Sequence, residues 1–447
     1  MSAFKAYDIR GVYGKDFTGE DVYRIGRCIP SLFGVTKVLI GRDCRLSSPE
    51  MYDRLTAGIT EAGADVYNSG LCTTPFIYWA TAEYIFDLSV MITASHNPPE
   101  HNGMKVSRTG ALPVGYDTGL DMLEQAIAKA LPAKAIHHGS VIDFDRHDAY
   151  LTFQKQFLSD LSGLKLTIDI SNGMAGLYIK ELLGEEPVYL NEIPDGRFPA
   201  HEPNPLEPAN VVELSEAVKA NGSDIGVIFD GDADRVMFTD EQGCFIRPDL
   251  MIGLLGHYFL EEKKLKGSVL QDIRTSKGVT EYLQKMGATV NIWRVGRAYA
   301  ALKLRETDGI FGGELAGHYY FRDFNYSDSA LMACLLILKL VKRFKCEGLK
   351  VSDVISRIDT YSNSGEINFR IEKKQEAMNL MREHFTKQAP PVAFMDFDGY
   401  RIEFAHWWFN VRQSNTEPLL RLILEADTPA LLAEKTAEAR NLLSQFT

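Results

Sequence analysis

Short apolar runs recur along the chain, each ending in a cluster of small, polar or charged residues. Leu88-Ser-Val-Met-Ile-Thr93 leads into Ala94-Ser95-His96-Asn97-Pro98, and Asp224-Ile-Gly-Val-Ile-Phe229 into Asp230-Gly-Asp-Ala-Asp-Arg235. Gly309-Ile-Phe311 leads into Gly312-Gly-Glu-Leu-Ala-Gly-His318. Unbroken apolar runs of this length suit strands covered on both faces of a largely parallel sheet. Lys37–Ile40, Leu166–Ile170 and Val269–Ile273 extend the set. Helical patterns fall between them. Leu250–Leu260 follows Pro248, with Asp249 as its expected N-cap, and Val279–Met286 closes at Gly287. Alternating strands and helices predict α/β architecture. Ligands of open α/β sheets gather at the carboxyl ends of the strands, so three such loops can face one cleft.

The last stretch has a different rhythm. Gly365–Ile371 reads as a strand and Lys373–Phe385 as a helix. Phe394–Phe397 and Tyr400–Ala405 flank Asp398-Gly399, a hairpin turn signal. Two further strands flank Arg412–Pro418. The closing helix has Thr428 as N-cap and Pro429 at its first position, with Leu432, Ala439, Leu443 and Phe446 on its inner face. Ser362-Asn-Ser-Gly365 before this α+β unit reads as a flexible linker.

At about 100–200 residues per domain, the 447 residues predict two to four domains. Composition is that of an ordinary globular protein, and the net charge of −12 comes with no basic stripe, so a nucleic-acid partner is not expected. An acidic chain that handles an anionic substrate must gather its cations at the site. The six cysteines form neither a C-x-x-C pair nor zinc-finger spacing and read as reduced, mostly buried thiols. The longest apolar run, Ala330–Leu338, stops at Lys339; a bilayer span needs about 18–20 residues, so the run suits a buried helix. The opening Met1–Arg10 has no apolar signal segment, and a cytoplasmic location with no membrane partner is expected.

Asp230, Asp232 and Asp234 offer three hard oxygen ligands at alternating positions, a pattern suited to magnesium, with Arg235 beside them for a substrate oxygen. With Glu241 they also match the ligand positions of an EF-hand loop. That reading fails because Arg235 stands where the loop needs Gly and a strand precedes where a helix is required. An aspartyl-phosphate enzyme of the haloacid-dehalogenase type fits locally but leaves Ser95 and the Arg412 loop without a role. Ser95, after a buried strand and before the stiffening Asn97-Pro98-Pro99, can carry a phosphoryl group, or be a turn serine. Lys105 can neutralise phosphate or lie in solvent. Arg412, Ser414, Asn415 and Thr416 have the composition of a phosphate cradle, and also of a polar hairpin loop. Glu314 can read sugar hydroxyls and His318 can shuttle a proton, unless His318 is a core histidine beside Tyr319 and Tyr320. Arg294 and Arg297 flank Gly296 and suit either phosphate or the surface.

Together, in this order, these motifs resemble the α-D-phosphohexomutase superfamily and, within it, the bacterial phosphomannomutase/phosphoglucomutase branch. The resemblance covers essentially the whole chain, from Phe4-Lys-Ala-Tyr-Asp-Ile-Arg10-Gly11 through the Ser95, Asp230 and Glu314 loops to Arg412–Thr416. It implies three related mixed-sheet α/β domains and a smaller C-terminal α+β domain around a central cleft, at 1–146, 147–248, 249–362 and 363–447. It makes Ser95 a phosphoserine, with one Mg2+ per chain on Ser95, Asp230, Asp232 and Asp234. Arg10, His96 and Lys105 line that site. Glu314 contacts the sugar, and Arg412, Ser414, Asn415 and Thr416 grip the substrate phosphate. The implied activity interconverts hexose 1-phosphate and hexose 6-phosphate, mannose first and glucose second, through a sugar 1,6-bisphosphate intermediate. A glucosamine phosphate substrate, or a non-catalytic sugar-phosphate binder, is the alternative.

The chain departs from the branch where Ala316 replaces a serine and where Lys-x-Gly-His becomes Arg294-Val-Gly-Arg297. Arginine stays protonated and is a poor base. Arg294 and Arg297 are therefore expected to bind phosphate, and proton transfer to fall to His318 or His96.

Overall fold

The computed structural model describes residues 3–414 and 419–446. Four sheets follow one another along the chain. In the first, Lys37–Arg42 pairs in parallel with Leu88–Ile92 and Asp65–Leu71. In the second, Leu166–Asp169 pairs in parallel with Ile225–Phe229 and Val188–Leu190. In the third, Ser268–Asp272 pairs in parallel with Phe311–Gly313 and Thr289–Trp293. Each sheet then does the same thing. Leu88–Ile92 turns into antiparallel His101–Arg108, Ile225–Phe229 into Val236–Thr239, and Phe311–Gly313 into Tyr319–Phe321. The three turns so made are the Ser95, Asp230 and Glu314 loops. They are topological equivalents, each at the carboxyl end of a central strand. The full burial of Leu88–Ile92 and Ile225–Phe229 accounts for their unbroken apolar sequence.

Helix Thr74–Glu83 also aims at this region. The Thr73 hydroxyl caps it by accepting from Phe76 N at 3.2 Å. Ala330–Cys346 buries every residue from Ala330 to Leu338, as the apolar run requires. It lies in a core continuous from Thr74–Glu83 through the second and third sheets, while a separate core fills the other face of the first sheet. No helix among the described residues is long and apolar enough to cross a membrane. All six cysteines are free; Cys28, Cys72 and Cys334 are buried, whereas Cys244 and Cys346 are exposed.

The C-terminal sheet has a core of its own. Thr428 caps helix Pro429–Leu443 as expected, accepting from Leu431 N at 3.2 Å. Its seam with the third domain combines one aromatic stack, Trp293 on Phe397 at 5.3 Å, with hydrogen bonds. Arg401, buried against Trp408, donates to Ile273 O at 2.9 Å and Thr275 O at 2.7 Å. Glu425 accepts from Lys277 N at 2.9 Å.

Local details differ from the sequence expectation in two places. Ser362–Asn363 is no loose linker but an edge strand on Leu420–Ala426, tied by Asn363 Nδ2 to Glu425 at 3.1 Å. Helix Pro248–Gly256 starts after Arg247, and the Asp249 carboxylate caps a different segment by accepting from Ser276 N at 2.9 Å.

Helices Gly19–Phe33 and Ser48–Glu61 cross backbone to backbone. A Cβ at Gly26 would lie 2.4 Å from Leu55 O, and one at Gly58 2.3 Å from Tyr23 O. Gly58→Val should therefore destabilise the first domain by about 1–3 kcal/mol. The check is urea unfolding followed by fluorescence, where the midpoint should fall; an unchanged midpoint refutes the crossing.

Candidate active site

Ser95 is buried at the end of Leu88–Ile92 with its backbone in the left-handed region, φ 51°. Its N–H donates to Thr93 Oγ1 at 2.9 Å, and its hydroxyl donates to Asp230 Oδ2 at 2.7 Å. This bond joins the first domain to the second. Gly231 makes it possible, since a Cβ there would sit 2.6 Å from Ser95 O. Thr74 adds a second tie: its N–H donates to Asp232 O at 3.0 Å and its hydroxyl to Asp232 Oδ2.

Asp230, Asp232 and Asp234 are buried, with an oxygen from each within 4.8 Å of the others. At that spacing each like-charged pair repels by roughly 3.5 kcal/mol for an effective dielectric near 20. Cations must offset this. Lys105 Nζ sits 2.6 Å from Asp232 Oδ2 and also contacts Asp234. Burial opposes its charge, but Asp232 and Asp234 hold its pKa above the ordinary lysine range. Arg235 Nε lies 3.9 Å from Asp230 Oδ2 and 4.0 Å from Asp234 Oδ1. The compensation is uneven. Burial and the two neighbouring carboxylates push Asp230 well up, whereas in Asp234 the burial cost is outweighed by Lys105 and His318, which hold it well down. Asp232 Oδ1 is buried and accepts no hydrogen bond. An all-oxygen set with such an orphaned atom fits a divalent cation such as magnesium.

Around this cluster, Arg10 donates to Asn97 Oδ1 at 2.8 Å and to Asp8 Oδ2 at 2.5 Å. His96 Nδ1 lies 3.4 Å from Ser95 Oγ, and burial with nearby Arg235 and Arg10 holds that imidazole neutral. His318 is the opposite case. Burial and Arg235 disfavour its charge, but Asp234 at 3.4 Å and Glu314 at 3.8 Å raise its pKa to about 9. Arg235 Nε stands 3.3 Å from His318 Nε2, a contact in which the ring would have to accept; the surrounding carboxylates, Asp328 at 3.6 Å included, favour the protonated ring. A backbone bridge, Val236 N to Gly317 O at 3.2 Å, fixes the two loops together.

Glu314 Oε1 accepts from Gly296 N at 3.0 Å and Tyr320 OH at 2.8 Å; burial opposes its charge, yet His318 and Arg274 hold its pKa at about 2. Gly296, at φ 119°, faces Tyr7, whose ring would be 2.5 Å from a Cβ; Tyr7 OH donates to Val295 O at 2.9 Å. The first domain thus packs directly on this glycine. Arg297 donates to Asp328 Oδ1 at 3.2 Å and stacks on Tyr78 at 3.5 Å, and Arg294 stacks on Tyr299 at 3.9 Å. Arg412 is buried, its Nε donating to Asp398 Oδ1 at 3.2 Å. Asp398 Oδ2 accepts from Val295 N at 2.8 Å, so the C-terminal hairpin turn reaches the Arg294–Arg297 loop. Ser414 ends the same strand region, while Asn415 and Thr416 lie outside the described residues.

The sequence reading missed Thr74, Arg45, Asp328 and the linking role of Asp398. Asp398 carried only a turn signal, and Thr74 carried none. What they touch is distant in the chain, so no local pattern could reveal it.

A buried serine aimed at a carboxylate triad able to hold a cation, on the first of three equivalent loops, is an arrangement suited to phosphoryl transfer. The comparisons identify the family. The chain matches the profiles for phosphoglucomutase/phosphomannomutase alpha/beta/alpha domain I over residues 1–134, domain II over 148–243, domain III over 247–361, and the C-terminal domain over 366–442. It is 35% identical over 451 residues to a phosphomannomutase of Methanocaldococcus jannaschii, covering 100% of this chain and 98% of that protein. It is 36% identical over 452 residues to the phosphohexose mutases protein of Xanthomonas campestris pv. campestris, covering 99% of each. A crystal structure of a phosphoglucomutase/phosphomannomutase family protein from Burkholderia thailandensis superposes with a TM-score of 0.88 at 29% identity, covering 99% of this chain and 97% of that one. The chain belongs to the phosphoglucomutase/phosphomannomutase family of the α-D-phosphohexomutase superfamily, and it is a phosphohexomutase by class.

Because Lys105 balances two buried carboxylates, Lys105→Met should lower the stability of the metal-free protein by about 3–5 kcal/mol. Saturating magnesium should raise Tm more in the variant than in the parent. Differential scanning calorimetry with and without magnesium checks both; equal metal-free Tm values would remove Lys105 as counter-charge.

Proposed function

We propose that this enzyme interconverts hexose 1-phosphate and hexose 6-phosphate, with mannose as preferred sugar and glucose second, using Ser95 as phosphoryl carrier. The single observation that carries the reading is the 2.7 Å bond from Ser95 Oγ to Asp230 within the buried carboxylate triad. The sugar preference is supported by the phosphomannomutase and phosphohexose mutases among the relatives. Three buried, unpaired thiols favour a reducing compartment, and a cytoplasmic location is part of the proposal.

In this reading Ser95 Oγ, Asp230, Asp232 and Asp234 would hold one magnesium ion, which would supply charge stabilisation for the transferring phosphoryl oxygens. The chain's own residues do the rest by positioning. Arg412 with Ser414, Asn415 and Thr416 grips the phosphate already on the sugar. Arg10, His96, Lys105 and Arg235 line the phosphoserine, and Glu314 accepts from sugar hydroxyls. The attacking hydroxyl oxygen bonds to phosphorus as the Ser95 Oγ–P bond breaks, and the hydroxyl proton passes to a neutral imidazole, His96 in this reading. His96, held neutral, can take a proton; His318, held protonated, binds and donates. The resulting sugar 1,6-bisphosphate turns end over end and returns its other phosphoryl group to Ser95. Arg294 and Arg297 assist phosphate binding. Their Tyr299 and Tyr78 partners and Asp328 fix their guanidinium groups near the Glu314 loop.

Phosphorus NMR of mannose 1-phosphate mixed with enzyme, magnesium and a trace of sugar 1,6-bisphosphate should show conversion to mannose 6-phosphate. Ser95→Ala should lower kcat by roughly 10⁴-fold or more; turnover at the parent rate would refute the carrier. Asp398→Ala frees the Arg412 guanidinium and unties the hairpin from Val295. It should raise KM about 10-fold, the weight of one buried charged hydrogen bond, as read from initial rates. An unchanged KM would separate Asp398 from phosphate docking.

A further inference from the structure

Nothing in the sequence sets Arg45 apart, yet its side chain is wholly buried against the Ser95 loop. Its guanidinium donates to four main-chain oxygens of that loop. Nη2 donates to Ser95 O at 2.8 Å and Asn97 O at 2.6 Å, and Nη1 to Pro98 O at 2.6 Å and His101 O at 3.0 Å. The group is itself held from behind. Asp43 Oδ2 lies 3.2 Å from its Nε, and Asp43 Oδ1 accepts from Ser48 Oγ at 2.6 Å and from Arg45 N at 3.0 Å. From the second domain, the Phe198 ring covers it at 5.0 Å, and Gly196 presses on Cys44 so closely that a Cβ would lie 2.2 Å from Cys44 O.

This arrangement answers a local problem. Ser95 adopts φ 51°, a conformation that a non-glycine residue keeps only when its surroundings over-determine it. Its own carbonyl oxygen lies on the second domain's Gly231. Four carbonyls that converge on one planar fork cannot relax independently. Lysine cannot replace the fork, because it presents three donors from one point.

We propose that Arg45 is a positioning residue for the proposed phosphoryl transfer: it clamps the Ser95 loop so that Oγ meets the Asp230 triad, and the Phe198 segment registers that clamp against the second domain. The inference rests on Ser95 as phosphoryl carrier. Substrate docking through Arg412 lies on another domain and is untouched by the clamp.

The experiment compares the parent, Arg45→Lys and the control Arg27→Lys, which alters a buried arginine of the same domain far from the loop. Steady-state rates with mannose 1-phosphate and magnesium, and phosphate on Ser95 by mass spectrometry after glucose 1,6-bisphosphate treatment, are measured. A loop displaced by about 1 Å should cost Arg45→Lys about 10²-fold in kcat, with KM within about 3-fold of the parent. Arg27→Lys should lower Tm and leave kcat unchanged. Arg45→Lys turning over at the parent rate, or losing kcat no more than Arg27→Lys, overturns the clamp. Should Arg45→Lys not fold, Phe198→Leu decides, since it removes only the ring over the guanidinium. Loss of that contact should lower kcat about 3-fold or more at unchanged KM, and a parental kcat overturns the proposal. A parent that carries no phosphate on Ser95 sinks the carrier reading instead, and the two failures are thereby distinguished.

Discussion

Three carboxylates buried within 4.8 Å of one another are the constraint around which this molecule is organised. Any two of them that are ionised together repel by roughly 3.5 kcal/mol at an effective dielectric near 20, a sizeable part of the stability of a typical domain, and Asp230 is pushed well up in response. No single loop can offset that. Lys105 comes from the strand after Ser95, Arg235 from the carboxylate loop itself, and His318 from the third domain's loop. Each domain therefore contributes a cation that would be poorly placed without its neighbours. The charge cluster is a reason for the first three domains to stay together, and their shared apolar core provides the means.

The repeated topology makes such convergence economical. Each of the first three sheets places a parallel strand beside an antiparallel return, and the turn between them lands at the same edge. One unit supplies a hydroxyl, the next the carboxylates, the third a carboxylate and an imidazole. Because the architecture aims the turn, sequence change within it alters chemistry without altering fold. The C-terminal domain stands apart. It has its own core and meets the third domain through hydrogen bonds of Arg401, Glu425 and Asp398 and a single aromatic stack, Trp293 on Phe397. A seam made mostly of hydrogen bonds separates more readily than an apolar one.

Much of this was legible in the chain. Buried central strands announce themselves because both faces are covered, so Leu88–Ile92 and Ile225–Phe229 needed no alternation to be found. The Asp triad and the Thr428 cap were equally local signals. What stayed hidden depends on partners far along the sequence. Arg45 looks like any surface arginine until residues 95 to 101 fold over it, and Asp398 reads as a turn residue until Val295 and Arg412 arrive on either side. Asp249 misled for the same reason: its position suggested a helix cap, but Ser276 N, supplied by a distant loop, is the donor it meets.

The Arg294–Arg297 segment carries this argument furthest. A lysine in that segment would combine charge with a proton that can be given up, whereas arginine offers charge alone. The structure shows what the exchange secures. Both guanidinium groups lie on tyrosine rings, and Arg297 binds Asp328, the carboxylate that also faces His318. A flat, permanently charged group suits stacking as a point-charge ammonium does not. The two histidines are driven in opposite directions by their surroundings: burial and nearby cations hold His96 neutral, and the carboxylates around His318 keep it protonated. For the proposed transfer, that separation leaves one imidazole without the extra proton and one with it.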